Sequence, residues 1–285
     1  MQEGIIIKRI GGFCYVLASN QVYTCKPRGR LRQGAKDILP GDRVLFQREL
    51  GVVEEILPRR VQLIRPPIAN VDQVVIVFAG REPTIDFMLL DRLLVTVAAQ
   101  DLGLVICFNK SDLARDPRSN LYREIGYPTI YTSTVTGEGI DELQAHLEGK
   151  ISCLAGPSGV GKSSLLNAII PGAQLQTAKI SQKMKRGRHT TRSVELLRLP
   201  NGGLVADTPG FSQLSLHHLE RERLAHYFPE MGPLIPHCRF SGCLHDQEPD
   251  CAVRAAVERE ELSPDRYDHY LAFLEEIREY ELRRY

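Results

Sequence analysis

The run Gly156-Pro157-Ser158-Gly159-Val160-Gly161-Lys162-Ser163 leaves its surroundings little choice of fold. Gly-x-x-x-x-Gly-Lys-Ser is the spacing of a phosphate-binding loop. Successive backbone N–H groups turn inward around phosphate oxygens, and glycines permit that curvature with no Cβ in the way. Lys162 can reach the β- and γ-phosphates, and the Ser163 hydroxyl can ligate Mg²⁺. Such a loop needs a strand to deliver it and a helix to receive it. Ile151-Ser152-Cys153-Leu154-Ala155 reads as the buried strand. The stretch from Ser164 to Ile170 reads as the helix, its positive dipole end aimed at the anion. Ser164 closes the set of candidate phosphate contacts.

A second motif lies earlier in the chain. Asn109-Lys110-Ser111-Asp112 comes after the apolar run Leu104-Val105-Ile106-Cys107-Phe108, a buried parallel strand that delivers a loop at its carboxyl end. A carboxylate at 112 can accept hydrogen bonds from N1 and N2 of guanine, a pair that adenine cannot supply. That argues for GTP and against ATP. Asn109 can tie this loop back to the phosphate loop. Thr132-Ser133, after the β-type stretch Thr129-Ile130-Tyr131, stands where a small Ser-Ala-type motif would offer a backbone N–H to guanine O6. Downstream, Asp207-Thr208-Pro209-Gly210 comes after the strand Gly203-Leu204-Val205-Ala206. Asp207 is placed to hold Mg²⁺ through a water, and the Gly210 N–H to sense the γ-phosphate. Thr190 and Thr191, in Gly187-Arg188-His189-Thr190-Thr191, are both candidates to contact Mg²⁺ and the γ-phosphate. An ordinary GTPase carries its phosphate loop first. Here the guanine motif precedes it.

Three cysteines and a histidine fall in one window, Cys238, Cys243, His245 and Cys251. Three thiolates and an imidazole suit a closed tetrahedral Zn²⁺ shell. Disulfides are the rival reading, disfavoured by the absence of a signal peptide. Adjacent His237 completes the shell less well than Cys238. Cys14, Cys25, Cys107 and Cys153 read as small core residues.

With its motifs in the order guanine loop, small motif, phosphate loop, switch threonine and Asp-x-x-Gly, the chain resembles the circularly permuted GTPases. Within them it resembles the RsgA family (also called YjeQ or YloQ), whose GTPases depend on the small ribosomal subunit. The resemblance spans the whole chain, and the Gly187–Thr191 phrase and the Cys/His cluster are its most specific parts. The family motif continues with a third threonine where Arg192 stands, so that position is given no role. The resemblance implies a structural Zn²⁺ on Cys238, Cys243, His245 and Cys251, Mg²⁺ with GTP, stimulation by the small subunit, and a role in its late maturation. Permutation joins old termini and opens a surface loop, which compact domains tolerate. Its consequence is that Asp207 to Gly210 ends the GTPase and runs directly into the C-terminal region.

Ordinary Ras-like GTPases place Gln after Asp-x-x-Gly to orient the attacking water. Phe211 stands there, and a phenyl ring cannot hydrogen-bond water. His189 is the best replacement, in a basic loop with Lys179, Lys183, Lys185 and Arg186. An imidazole there can position or partly deprotonate water, and the resemblance implies the same residue. The alternative is a surface imidazole or an RNA contact.

The chain of 285 residues, 43% hydrophobic and 25% charged, has room for three domains. Residues 1–65 read as an OB-type β-barrel of five short strands. Residues 70–212 read as an α/β GTPase domain with a mainly parallel sheet, and 213–285 as a helical zinc-binding domain. Arg65-Pro66-Pro67 reads as a linker between the first two. A last helix is expected from Ser263 as N-cap with Pro264 in its first turn. Net charge is only +1, yet residues 1–60 hold 11 Lys/Arg against 6 Asp/Glu. Lys26, Arg28, Arg30, Arg32 and Lys36 cluster there. With the basic switch loop and the zinc knuckle they form a plausible rRNA-contact set. No stretch reaches membrane-spanning length. The expectation is a cytoplasmic monomer that binds GTP and GDP, hydrolyses GTP, and meets the small ribosomal subunit and its rRNA without a membrane partner. The competing reading is a GTP-regulated RNA-binding module whose hydrolysis is incidental.

Overall fold

Alternation of apolar and polar residues sets the N-terminal architecture. Along β2 (Phe13–Ala18), Cys14, Val16 and Ala18 turn inward and are buried, while the residues between them face outward. In the computed structural model, which describes residues 1–29, 31, 38–64, 66–172, 175, 194–206 and 215–283, this strand belongs to a closed barrel. Its partners are β1 (Gln2–Ile10), β3 (Gln21–Pro27), β4 (Arg43–Gln47) and β5 (Val52–Ile56). The order is β1-β2-β3-β5-β4, with β1 closing onto β4 and only β3 and β5 running parallel. That is the OB-type connectivity. Of the clustered basic residues in this part, Arg28 is paired with Glu54, and exposed Lys26 lies over the Phe13 ring, 5.1 Å from its centroid. Arg30, Arg32 and Lys36 lie outside the described residues.

The expected linker is structured on both sides of its prolines. β6 (Gln62–Leu63) and β7 (Ile68–Ala69) pair as a small antiparallel ribbon. Leu63, Ile68 and Ala69 are buried. The backbone N–H of Ala69 donates to Pro40 O, and Arg59 Nε sits 2.6 Å from the buried Asp42 carboxylate. Short apolar pairs flanking the prolines are enough to dock this segment, a signal the prolines mask.

The central sheet has the order β10-β9-β8-β11-β13-β12. The strands are β8 (Gln73–Ala79), β9 (Gly103–Asn109), β10 (Thr129–Thr132), β11 (Ile151–Ala155), β12 (Leu196–Arg198) and β13 (Leu204–Ala206). All pairs are parallel except β12 with β13. Successive residues of β8 feed opposite faces. Ile76 and Phe78 pack in one layer with Leu90, Leu93, Leu94 and Val97 of α1 (Phe87–Ala98). Val75 and Val77 pack in the other with α3 (Ile140–Leu147) and α4 (Lys162–Ile169). A short α2 (Asn120–Glu124) precedes β10. From β8 the chain steps to β9 and β10 on one side, then returns to β11 on the other. That reversal makes the carboxyl ends of β8 and β11 the switch point where open α/β sheets bind ligands.

The C-terminal part is built on α5 (Ala252–Glu258) and α6 (Pro264–Arg283), with 3-10 turns at Arg221–Tyr227 and Ile235–His237. Phe228, Tyr270, Phe273, Leu274 and Ile277 share a core with Val95 of α1. Beside that core lies a buried charged cluster. Arg266, 2% exposed, pairs with fully buried Asp91 and donates to both oxygens of Glu230, at 2.7 and 3.1 Å. Tyr122 donates to Asp91 at 2.7 Å, and His269 Nδ1 lies 2.6 Å from the other Asp91 oxygen. The guanidinium also stacks on Phe228, 4.8 Å from the ring centroid. Removing one member leaves uncompensated charge in the interior. Arg266→Met is therefore expected to cost about 3–5 kcal/mol in chemical denaturation of the C-terminal part. Arg266→Met combined with Asp91→Asn should recover part of that loss. Equal loss in the single and double variants would show that the charges are not coupled.

Candidate functional site

The phosphate loop leaves the fully buried strand β11 and enters α4. Two of its glycines are required by geometry. Gly156 has φ +132°, and a Cβ there would stand 2.0 Å from Val77 O. Gly161 has φ +95°, and its Cβ would stand 2.3 Å from Asn109 Nδ2. No other residue fits either place. Lys162 opens α4 and donates through Nζ to Gly156 O at 2.8 Å and Pro157 O at 2.7 Å, which folds its ammonium back over the loop. Val160 is buried, Ser158 and Gly159 are exposed, and Ser163 and Ser164 in the first turn of α4 are half-buried. The first turn of a helix leaves its N–H groups unpaired, so they add to the loop's capacity for an anion.

Asn109 joins the two motifs. It ends β9, is 1% exposed, donates through Nδ2 to Val160 O at 2.9 Å, and accepts from Thr132 Oγ1 at 3.1 Å. One amide thus fixes the phosphate loop, the guanine loop and the end of β10. Lys110 comes next with φ +59°, a costly conformation for a side chain of this kind, and such strain collects at ligand-binding sites. Its Nζ donates to Glu82 O. The segment carrying Glu82 also lies over the phosphate loop, Pro83 Cδ being 4.0 Å from where a Gly159 Cβ would stand.

Asp112 is exposed, and its Oδ1 accepts from the Ser133 hydroxyl at 2.6 Å. Ser133 is buried and its hydroxyl accepts in turn from the N–H groups of Val135 and Thr136. The Ser133 N–H is engaged within its own loop, donating to Glu138 O at 3.0 Å. The Ser133 hydroxyl, by contrast, points to Asp112 and fixes that carboxylate. The N–H of exposed Thr134 has no backbone partner among the described residues. A loop that closes on itself through residue 138 cannot be read from the pair Thr132-Ser133. Glu138 also carries no sequence signal of its own. Its Oε2 accepts from Ser111 Oγ at 2.5 Å, and Arg115 pairs with its other oxygen. The Ser111 hydroxyl first, then Arg115, holds its carboxyl below the ordinary glutamate range.

Asp207, Gly210, His189, Thr190 and Thr191 lie outside the described residues, as does Phe211. The strand that leads to Asp207 is in place. β13 ends at Ala206 beside β11, in register with Cys153.

A second constellation lies in the C-terminal part. The ligand atoms of Cys238, Cys243, His245 and Cys251 all fall within 4.8 Å of one another. Cys238 Sγ is 3.9 Å from Cys251 Sγ, and the two sulfurs lie 3.5 and 3.4 Å from His245 Nδ1. A tetrahedral ion with metal–sulfur bonds of about 2.3 Å needs sulfurs about 3.8 Å apart. A disulfide needs them at about 2.05 Å. The spacing fits a shared metal and rules out a bridge between Cys238 and Cys251; all seven cysteines are free. His245 is buried with φ +56°, and burial pushes its imidazole pKa down, which keeps a ring nitrogen free to ligate. The surrounding chain is pinned by Tyr267, donating to His245 O at 2.7 Å, and by Tyr270, donating to Leu244 O at 2.6 Å. Cys14, Cys25, Cys107 and Cys153 are buried core residues, as expected.

No helix among the described residues is long and apolar enough to cross a membrane. The sequence model of the RsgA GTPase family matches residues 56–217, and that of the RsgA N-terminal domain matches residues 3–51. The chain is 54% identical over 281 residues to the small ribosomal subunit biogenesis GTPase RsgA of Moorella thermoacetica, covering 96% of this chain and 97% of the relative. Against the protein of the same name from Geobacillus thermodenitrificans, identity is 49% over 289 residues, 98% of each. Two solved structures are similar along nearly their whole length. YjeQ from Thermotoga maritima superposes with a TM-score of 0.83 at 38% identity, over 97% of this chain and 98% of that one. YloQ, described as a circularly permuted GTPase, gives 0.81 at 42%, over 98% and 96%.

Proposed function

This chain belongs to the RsgA family of GTP-hydrolysing enzymes, and from that premise we propose that it acts in late maturation of the small ribosomal subunit, which stimulates its conversion of GTP to GDP and phosphate. The observation that carries the nucleotide site is Asn109. Its amide ties the guanine loop to the phosphate loop across 51 residues of sequence, so base and phosphates of one nucleotide are served from the carboxyl end of one sheet. Asp112 takes N1 and N2 of guanine, and the Thr134 N–H takes O6. Lys110 and Ser111 frame the base. Backbone N–H groups of residues 157–163 and the Lys162 ammonium hold the phosphates.

Mg²⁺, held by the Ser163 hydroxyl and, through water, by Asp207, would neutralise charge developing on the phosphates. Gly210 and one of Thr190 and Thr191 complete the γ-phosphate contacts. His189 orients the attacking water in place of the Gln that Phe211 replaces. Catalysis of phosphoryl transfer is mostly positioning and electrostatics, so a switch loop that meets rRNA can set the rate. Cys238, Cys243, His245 and Cys251 hold one structural Zn²⁺. The assigned domains are 1–65 for rRNA binding, 70–212 for the GTPase and 213–285 for the zinc region, in a cytoplasmic monomer.

Phosphate release from GTP and from ATP, with and without purified small subunits, tests this reading. Stimulated, GTP-selective release is expected. RNA binding that depends on GTP with no stimulation would instead favour a binding module with incidental hydrolysis. His189→Ala should lower stimulated turnover by roughly a hundredfold with little change in GTP affinity. Unchanged stimulated turnover would remove His189 from the mechanism.

A further inference from the structure

We propose that Glu138 is a positioning residue for guanine specificity, a latch that holds the Asp112 loop and the Ser133 loop in one arrangement. The proposal rests on the guanine site assigned under the proposed function. Three contacts meet on this residue. Its Oε2 accepts from Ser111 Oγ at 2.5 Å, its other oxygen pairs with Arg115, and its backbone O accepts from the Ser133 N–H at 3.0 Å. Ser111 and Arg115 flank Asp112 in sequence. Arg115 is itself fixed over the Tyr131 ring, 4.8 Å from the centroid, at the end of β10. The two loops are therefore cross-linked on both sides of the base-reading carboxylate: by Ser133 to Asp112 on the inside, and by Glu138 to Ser111 and Arg115 on the outside.

The backbone contact has its own effect. By occupying the Ser133 N–H, the Glu138 carbonyl leaves Thr134 to present the next N–H to the rim. The side chain then keeps the opposite loop at the distance where Asp112 and Thr134 can address one purine edge together. A hydrogen bond accepted by Asp112 is only as selective as its direction is fixed, since binding energy spent on ordering a loop is lost to the ligand. Glu138 is exposed, so its ion pair contributes little to folding. Its contribution lies in loop order, and that predicts an effect on base discrimination larger than its effect on stability.

The test uses the full chain and compares GTP with inosine triphosphate, which lacks the 2-amino group that Asp112 reads. Glu138→Ala is expected to raise Kd and KM for GTP about tenfold, to leave kcat within about twofold, and to weaken inosine triphosphate binding much less. The GTP/ITP preference should therefore fall. Glu138→Gln keeps an acceptor for Ser111 but loses the ion pair to Arg115, and should fall between wild type and Ala. Unchanged GTP affinity in Glu138→Ala would overturn the proposal. So would an equal loss for both nucleotides with a lowered Tm, since that is what a merely structural residue gives. Asp112→Asn is measured in parallel. If it leaves GTP binding intact, the guanine site itself is misassigned. If it abolishes GTP preference while Glu138→Ala does not lower it, only the latch fails.

Discussion

Exchanging Asp112 for Asn is expected to weaken GTP binding roughly 10²- to 10⁴-fold, the worth of two hydrogen bonds to a charged acceptor at about 1.5–3 kcal/mol each. The carboxylate offers acceptors only, and guanine presents donors at N1 and N2. One carboxylate oxygen already accepts from Ser133 Oγ. In the Asn variant the hydroxyl of Ser133 can still be satisfied by the amide oxygen, which turns the NH₂ group toward the base. Donor then faces donor. The loss therefore exceeds a missing contact, because a buried edge group is left without a partner. Xanthosine triphosphate reverses the argument, since its C2 carbonyl accepts from that NH₂. Competition binding with GTP, xanthosine triphosphate and ATP should show a switch from the first to the second, with folding unaffected, since Asp112 is exposed. A variant that weakens all three alike would place Asp112 in loop structure and not in base recognition.

How much of the molecule is legible in its sequence depends on the range of the interactions concerned. The loop at 156–163 is readable because its glycines, lysine and serine are fixed by local backbone geometry, and the structure has Gly156 and Gly161 where no Cβ fits. Asn109 can be assigned to the phosphate loop because open α/β sheets bind their ligands at the carboxyl ends of the strands, where both loops emerge. The barrel strands and α1 are readable from their periods, down to Asp86, whose carboxylate caps α1 by accepting from Leu89 N at 2.9 Å. Glu138 is hidden because its partners lie 23 and 27 residues away. The Arg266–Asp91 pair spans 175 residues, and no local pattern marks either residue as buried. Ser133 is the intermediate case: its neighbourhood is readable, but which of its groups is taken up within the loop depends on a turn closed by residue 138.

Those long-range contacts give α6 two faces with different tasks. Tyr267 and Tyr270 reach the backbone at His245 and Leu244, while Arg266 and His269 reach Asp91 on α1. The helix thus stands between the Cys/His cluster and α1, and only its first face touches the segment that would hold the metal. Removing Zn²⁺, by chelation or by Cys251→Ser, is accordingly expected to unfold the segment around residues 238–251 while α6 stays docked and GTP stays bound. The energy at stake is large, about 10 kcal/mol or more for a structural site, against a segment with few apolar residues of its own. Cys251→Ser separates metal loss from helix damage. Residue 251 is the N-cap of α5, and serine is a better cap than cysteine. Lowering pH should act as chelation does, because the thiols must lose protons to bind metal. Burial first, with the neighbouring thiols, pushes the metal-free Cys243 thiol up to about 12, so protons compete strongly there. Thiol titration reads the result directly. Cys238, Cys243 and Cys251 should become reactive on chelation, while Cys14, Cys25, Cys107 and Cys153 stay protected in the barrel and sheet until denaturant is added. Exposure of all seven on chelation, or loss of GTP binding with the metal, would mean that α6 carries the disruption into α1 and that the two faces of this helix are not independent.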